Sequence, residues 1–164
     1  MNWLFGDNIN TDLITPGRYN ITTDVNELAK VAFIEYRPDF CKNAKAGDFI
    51  VAGENFGCGS SRETATMSLR ARGITAVIAK SFARIFYRNS INLGLMLVIA
   101  ETTGIEENDQ LELDIKGQVV RNKTKGTTIK GSIPGMMVRL YEEGGIIPYL
   151  KKHGLDALKD LEKF

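Results

Sequence analysis

Short apolar runs and amphipathic stretches alternate through the middle of the chain. Residues 48–52 (DFIVA), 75–79 (TAVIA) and 95–100 (LMLVIA) are almost continuously apolar, without the every-other-residue rhythm of a strand with one wet face. Runs of this kind fit strands buried on both sides. Residues 61–72 and 82–92, which separate them, carry apolar side chains at helical spacing, so the order reads β-α-β-α-β. A helix between two such strands returns the chain to the same end of the sheet, which makes the strands parallel. The pattern predicts an α/β domain with a mostly parallel central sheet covered on both faces.

Beyond Gly104 the rhythm changes. Residues 110–115 and 119–122 alternate and are joined around Lys116-Gly117, and 127–130 reads as a third strand, so a small antiparallel or barrel-like addition is expected. Residues 136–143 and 146–152 read as two short helices broken at Gly144-Gly145, and 154–164 as a frayed amphipathic tail. At the other end, 3–5 suits a short strand, followed by a polar, turn-rich run over 6–19 (GDNINTDLITPGRY). A long irregular segment in a compact domain is more often a functional loop than a plain connector. Asp24 or Thr23 caps a helix expected over 25–33, and Arg37-Pro38-Asp39 marks a turn.

At 164 residues, with no internal repeat and no linker, the chain reads as a single domain over 1–164. Twenty-one basic residues against twenty acidic ones give a net charge of +1, which removes the electrostatic argument for nucleic acid. No run approaches the roughly 20 apolar residues that cross a bilayer. The start, MNWLFGDNIN, has no basic region ahead of an apolar one, so a cytoplasmic protein is expected. Two cysteines (Cys41, Cys58) and one histidine (His153) are too few for a cysteine-ligated iron–sulfur cluster or a typical structural zinc site. No metal ligand is therefore assigned, and any such cofactor has to come on another chain.

The segment from Gly53 to Glu63 (GENFGCGSSRE) sits between an expected parallel strand and the helix after it, where ligands of open α/β sheets collect. Its glycines let the backbone approach a ligand, free N–H groups at the helix start favour an anion, and Arg62 offers a planar fork for a carboxylate. A small carboxylic acid or a phosphate is the expected ligand. The plainer reading is that Ser60-x-x-Glu63 is a capping box that only starts the helix. The spacing matches neither a Walker A loop nor a G-x-G-x-x-G fingerprint, which disfavours a nucleotide. Cys58 near a helix start is a candidate reactive thiol or a small filler, Cys41 a buried apolar residue, and His153 a surface histidine. Arg84 and Arg88, one turn apart, suit an anion, a partner's carboxylates or a solvated face, while Phe82 and Phe86 suit the core. Asp7, Asn8, Asn10, Thr11 and Asp12 are explained mostly by turn chemistry and gain interest only in company with the serine loop.

Three segments together, 6–19, 52–63 (AGENFGCGSSRE) and 79–89 (AKSFARIFYRN), resemble the swivelling domain of the aconitase superfamily. They are most similar to the free-standing small subunits of the 3-isopropylmalate dehydratases in their compact archaeal and clostridial form, over nearly the whole chain. The resemblance implies a three-layer swivelling β/β/α domain with an antiparallel extension. It implies a large partner subunit whose [4Fe-4S] cluster, held by cysteines, leaves one iron open as a Lewis acid, in a heterodimer or heterotetramer. It implies a hydro-lyase of leucine biosynthesis that moves a hydroxyl between neighbouring carbons of a small hydroxy acid. By the same resemblance Ser60 matches the serine whose deprotonated oxygen is the general base, and Ser61 and Arg62 match substrate-binding residues, with Gly59 beside them. Specificity in the family is associated with the loop after the first segment, where Ile21 is placed to face an isopropyl group. Thr64 stands where many relatives carry histidine. Homoaconitase-like and 2,3-dimethylmalate dehydratase small subunits share this framework, and a non-catalytic carboxylate-binding regulatory module is the alternative of another class.

Overall fold

The computed structural model describes residues 1–161. Four short strands run parallel: β1 (Asn2–Leu4), β2 (Phe49–Ala52), β3 (Ala76–Ala79) and β4 (Leu97–Ala100), with Trp3 opposite Ile50, Ile50 opposite Val77 and Val77 opposite Leu97. Every residue of β2 and β3 is buried, which is why their sequence does not alternate. Past β4 the direction reverses. β5 (Leu111–Asp114) and β6 (Val119–Asn122) form a hairpin, and β7 (Thr127–Ser132) pairs with β6 through Lys130 and with β4 at Gly131 and Ser132. The order is β1-β2-β3-β4-β7-β6-β5. The mostly parallel sheet with an antiparallel extension is thus the one the hydrophobic pattern predicts.

The helices are α1 (Thr11–Ile14), α2 (Val25–Ala29), α3 (Pro38–Asn43), α4 (Glu63–Ala71), α5 (Arg84–Leu93), α6 (Gly135–Glu143), α7 (Ile146–His153) and α8 (Leu158–Leu161). The expected crossovers are α4 and α5, and Gly94, at φ 69°, ends α5. Asp24 caps α2 as expected, its Oδ1 accepting the Asn26 N–H at 2.8 Å. That helix nevertheless stops four residues short of Phe33. Phe33 takes φ 56°, and its ring stacks on Phe5 at 4.4 Å and meets Phe40 edge-on at 5.1 Å. Burying this aromatic cluster outweighs one more helical turn. The 6–19 run is less irregular than expected, because Asn10 Oδ1 accepts the Leu13 N–H at 2.8 Å and starts α1. The Pro38 turn opens α3, where a fixed φ and a missing N–H suit the first helical position. Ala157 and Leu161 pack with Leu140 and Tyr149, so the described part of the tail is held in place instead of fraying; 162–164 lie outside the described residues.

An edge strand leaves backbone groups open to stray pairing. On β1, the Leu4 carbonyl accepts from Arg37 Nη1 at 2.6 Å and the Leu4 N–H donates to Glu107 Oε2 at 2.6 Å, while Arg37 and Glu107 pair with each other. The Arg37 guanidinium also lies 5.1 Å from the rings of Trp3 and Phe5. One arginine therefore closes the edge and covers the aromatic cluster.

Asp48, just before β2, accepts from the Trp3 indole and the Lys45 N–H, each at 2.9 Å, and lies 3.1 Å from the Met1 amine. Burial works to raise its pKa, but these donors outweigh burial and hold the carboxyl below its ordinary 3.8. A lowered folded pKa gives stability that is present above the unfolded value and lost as pH falls through the folded one. Asp48→Asn is expected to cost about 1–3 kcal/mol near neutral pH in urea melts followed by Trp3 fluorescence. The gap from the parent should close in acid, below about pH 4. A gap that stays constant across that range refutes the charged role of Asp48.

Candidate active site

Parallel strands place the loops that follow them at one edge of the sheet. The loop after β2 lies between the loops after β1 and β3 and is bonded to both. On one side Gly53 N–H donates to Gly6 O (3.2 Å), Asn8 N–H to Glu54 O (2.8 Å), Gly57 N–H to Ile9 O (2.7 Å) and Thr11 N–H to Cys58 O (2.9 Å). On the other, Lys80 N–H donates to Gly53 O (3.0 Å), Phe56 N–H to Ser81 O (3.0 Å) and Ala83 N–H to Phe56 O (2.9 Å). Three segments far apart in sequence thereby become one surface.

Side chains fill the joints. Asp7 Oδ1 accepts the Glu54 N–H at 2.7 Å, and a Cβ on Gly53 would sit 1.8 Å from that oxygen. Asn55 Nδ2 donates to Asn8 Oδ1 at 2.9 Å, and both asparagines adopt positive φ, 59° and 55°. Gly57 combines φ 79° with a site where a Cβ would lie 2.1 Å from Phe86 Cγ. Gly59, at φ 88°, has room for a Cβ, so there the backbone conformation alone calls for glycine. Asp7, Asn8, Asn10 and Thr11 are thus builders of the loop, as turn chemistry anticipates.

The capping box is not formed. The chain runs extended through Arg62 (φ −119°, ψ 105°), α4 begins at Glu63, and no side chain caps it. The physical reason is the Thr11 hydroxyl, which donates to the Ser60 carbonyl at 2.9 Å and ties Ser60 to the first loop, so that its side chain does not cap the helix. Ser60 and Ser61 are exposed, and neither hydroxyl has a hydrogen-bond partner among the described residues. An uncapped helix start also keeps its first N–H groups and the positive end of its dipole available.

Arg62 is half-buried, with Nη1 2.6 Å from Asp12 Oδ1 in an ion pair that is not aligned as a hydrogen bond. A Cβ on Gly17 would sit 3.1 Å from the same nitrogen. Asp12 and Gly17 therefore seat the guanidinium beside the serines. Sequence reasoning passed over Lys80, although its place after a parallel strand was a usable signal. Its Nζ lies 2.9 Å from Glu101 Oε1 and donates to Thr103 Oγ1 at 2.9 Å. The hydrogen bond to Glu101 raises its pKa. The Thr103 hydroxyl, then Lys80, lower Glu101 to about 2. Both groups are charged across the physiological range.

Ile21 is 90% exposed and lines a hollow of about 250 Å³ with Tyr19, Thr22, Glu27 and Val31. Its loop joins the site through Thr64, whose hydroxyl donates to Asn20 Oδ1 at 2.6 Å. Cys58 is half-buried in the glycine loop, and Cys41, expected buried, is also only half-buried, with its thiol donating to Lys30 O at 2.9 Å. His153 lies on α7, 3.0 Å from Glu143 and with its ring 4.7 Å from that of Tyr149. Among the described residues no group of three or more His, Cys, Asp or Glu side chains is placed to hold a metal ion.

Residues 6–102 match the model of the aconitase C-terminal domain family. The chain is 53% identical over 154 residues to a 3-isopropylmalate dehydratase small subunit of Archaeoglobus fulgidus, covering 93% of each. It is 48% identical to the isopropylmalate/citramalate isomerase small subunit of Methanocaldococcus jannaschii, covering 92% of this chain and 91% of the relative. A crystal structure of a 3-isopropylmalate dehydratase from M. jannaschii superposes with a TM-score of 0.90 at 48% identity, over 97% of this chain and 96% of that one. By its loops, its fold and these relatives, the chain belongs to the aconitase family, among the small subunits of 3-isopropylmalate dehydratase.

Proposed function

We propose that this chain supplies the proton-transfer and carboxylate-binding half of a 3-isopropylmalate dehydratase, in the cytoplasmic synthesis of leucine. The observation that carries the reading is the Ser60 hydroxyl. It is exposed at the turn of a glycine loop, unpartnered among the described residues, beside an uncapped helix start and a seated arginine. In the forward half-reaction 2-isopropylmalate loses the C3 proton and the C2 hydroxyl, giving an unsaturated diacid and water. Addition of water with the hydroxyl on C3 then gives 3-isopropylmalate.

Ser60 takes the C3 proton, which the adjacent carboxylate makes more acidic, and gives a proton back on rehydration. A serine hydroxyl is a weak acid, so the deprotonated oxygen has to be stabilised by donors fixed in place beforehand. The open N–H groups of α4 and the Arg62 guanidinium are of that kind. Arg62 and Ser61 bind a substrate carboxylate, and Gly59 lets the backbone come close to it. Lys80 stands at the same edge, held in place by Glu101 and Thr103. The [4Fe-4S] cluster does not fit this chain: its two cysteines cannot furnish three thiolates, and Cys41 is engaged with Lys30 O. We assign the cluster to a larger partner subunit, in a heterodimer or heterotetramer.

Substrates that differ by a few methylenes are separated by about 1–3 kcal/mol each. The relative named for both isopropylmalate and citramalate marks this side chain as the variable feature, with Ile21 as the local apolar candidate. 2-Isopropylmalate is expected to turn over about tenfold or more better than homocitrate or 2,3-dimethylmalate. The reverse order, in competing-substrate rates of the assembled enzyme, replaces isopropylmalate as the substrate. The isolated chain is expected to be inactive until the large subunit is added, with only weak heats when diacids are titrated into it. Tight binding without the partner supports the regulatory module instead. Ser60→Ala should lower kcat of the assembled enzyme by about 10²–10⁴-fold with an unchanged circular dichroism spectrum. A rate near that of the parent removes Ser60 from the chemistry.

A further inference from the structure

We propose that the exposed stripe of α5 carrying Arg84, Ile85 and Arg88 docks an acidic surface of the larger, cluster-bearing subunit; this rests on the function proposed above. Residues 84, 85 and 88 fall on one side of the helix, opposite the buried Phe86 and Ser90, and Ile85 is 46% exposed. The arginines elsewhere are engaged. Arg18, Arg37, Arg62 and Arg121 pair with carboxylates, and Arg70 and Arg72 hold backbone carbonyls. Arg84 and Arg88 have no ion pair or hydrogen bond among the described residues.

Local physics argues against this arrangement unless a partner completes it. Two like charges one turn apart repel, and Arg84 sits in the first turn, at the positive end of the helix, behind an Ala83 cap that offers no acceptor side chain. The helix is held by packing through Phe86, so the surface charges are free to serve something else. Places where local choices oppose local stability are where function is expected.

Position supplies the occupant. α5 leaves the loop that is bonded to Phe56, and Phe86 packs against Gly57, so the first turn of α5 stands at the same rim as the Ser60 loop, with Arg84, Ile85 and Arg88 on the outer side of the helix, turned away from Gly57. A chain that brings a reaction centre to Ser60 meets this rim. Hollows of about 250–460 Å³ lie elsewhere on the surface, and none is lined by these three residues. An apolar residue flanked by two cations on a convex helix suits a protein surface with acidic side chains around an apolar spot better than a free anion.

The test uses the full chain with Arg84→Glu and Arg88→Glu together, and the purified cluster-bearing large subunit as probe. Affinity is measured by biolayer interferometry between about 50 and 300 mM salt. The double variant is expected to bind about 30-fold more weakly than the parent and with a flatter salt dependence. Its melting temperature should equal or exceed the parent's, because glutamate suits the first turn of a helix. At saturating large subunit, kcat should stay within about twofold of the parent. Unchanged affinity and salt dependence overturn the proposal. Intact affinity with a fall in kcat/KM overturns it too, and assigns the arginines to the substrate. A parent complex that forms with salt-dependent affinity yet turns over no substrate supports the docking face while refuting the enzymatic reading.

Discussion

The site depends on a backbone constraint: the loop after β2 is hydrogen-bonded along both sides, to the loop after β1 and to the loop after β3. Backbone groups that leave a sheet normally have to find water or turns. Here the parallel pairing is carried past the strands by single bridges, Asn10 with Cys58 and Phe56 with Phe82. A loop held on both sides keeps its tip in one place, so the exposed Ser60 hydroxyl, which has no hydrogen-bond partner among the described residues, is positioned by the backbone alone.

The same constraint explains why α4 starts late. Had Ser60 capped the helix, its hydroxyl would be occupied by a backbone N–H. The bond from Thr11 to the Ser60 carbonyl draws the chain toward the first loop, and the extended residue at Arg62 separates the serines from the helix. The consequence is an exposed pair of hydroxyls next to the positive end of a helix dipole. Arg62, seated by Asp12 and Gly17, and Lys80, held by Glu101, are fixed in place without depending on flexible side chains finding each other in solution.

The rest of the fold keeps that edge rigid. Arg37 and Glu107 close the open side of β1, and the cluster of Trp3, Phe5, Phe33 and Phe40 anchors the strand from which the first loop departs. The antiparallel hairpin joins through β7, where Gly131 makes room for Val98: a Cβ there would lie 2.7 Å from the valine methyl. The site is open on this chain, with its serines at the surface. Such an arrangement suits a chain that completes a reaction centre held elsewhere.

The order of elements was legible in the sequence because burial on both faces leaves an unbroken apolar run, and helical spacing survives in α4 and α5 without reference to any neighbour. The glycine loop was legible because φ-positive positions and close approaches leave few alternatives to glycine. Two cysteines were legible as too few for a cluster held by cysteine thiolates. Tertiary structure decided what depends on distant partners. Phe33 left the helical region to complete an aromatic cluster, a choice invisible in its neighbours. Whether Ser60 capped a helix or stood free turned on a hydroxyl 49 residues earlier, because local spacing describes only what a residue can reach along its own segment.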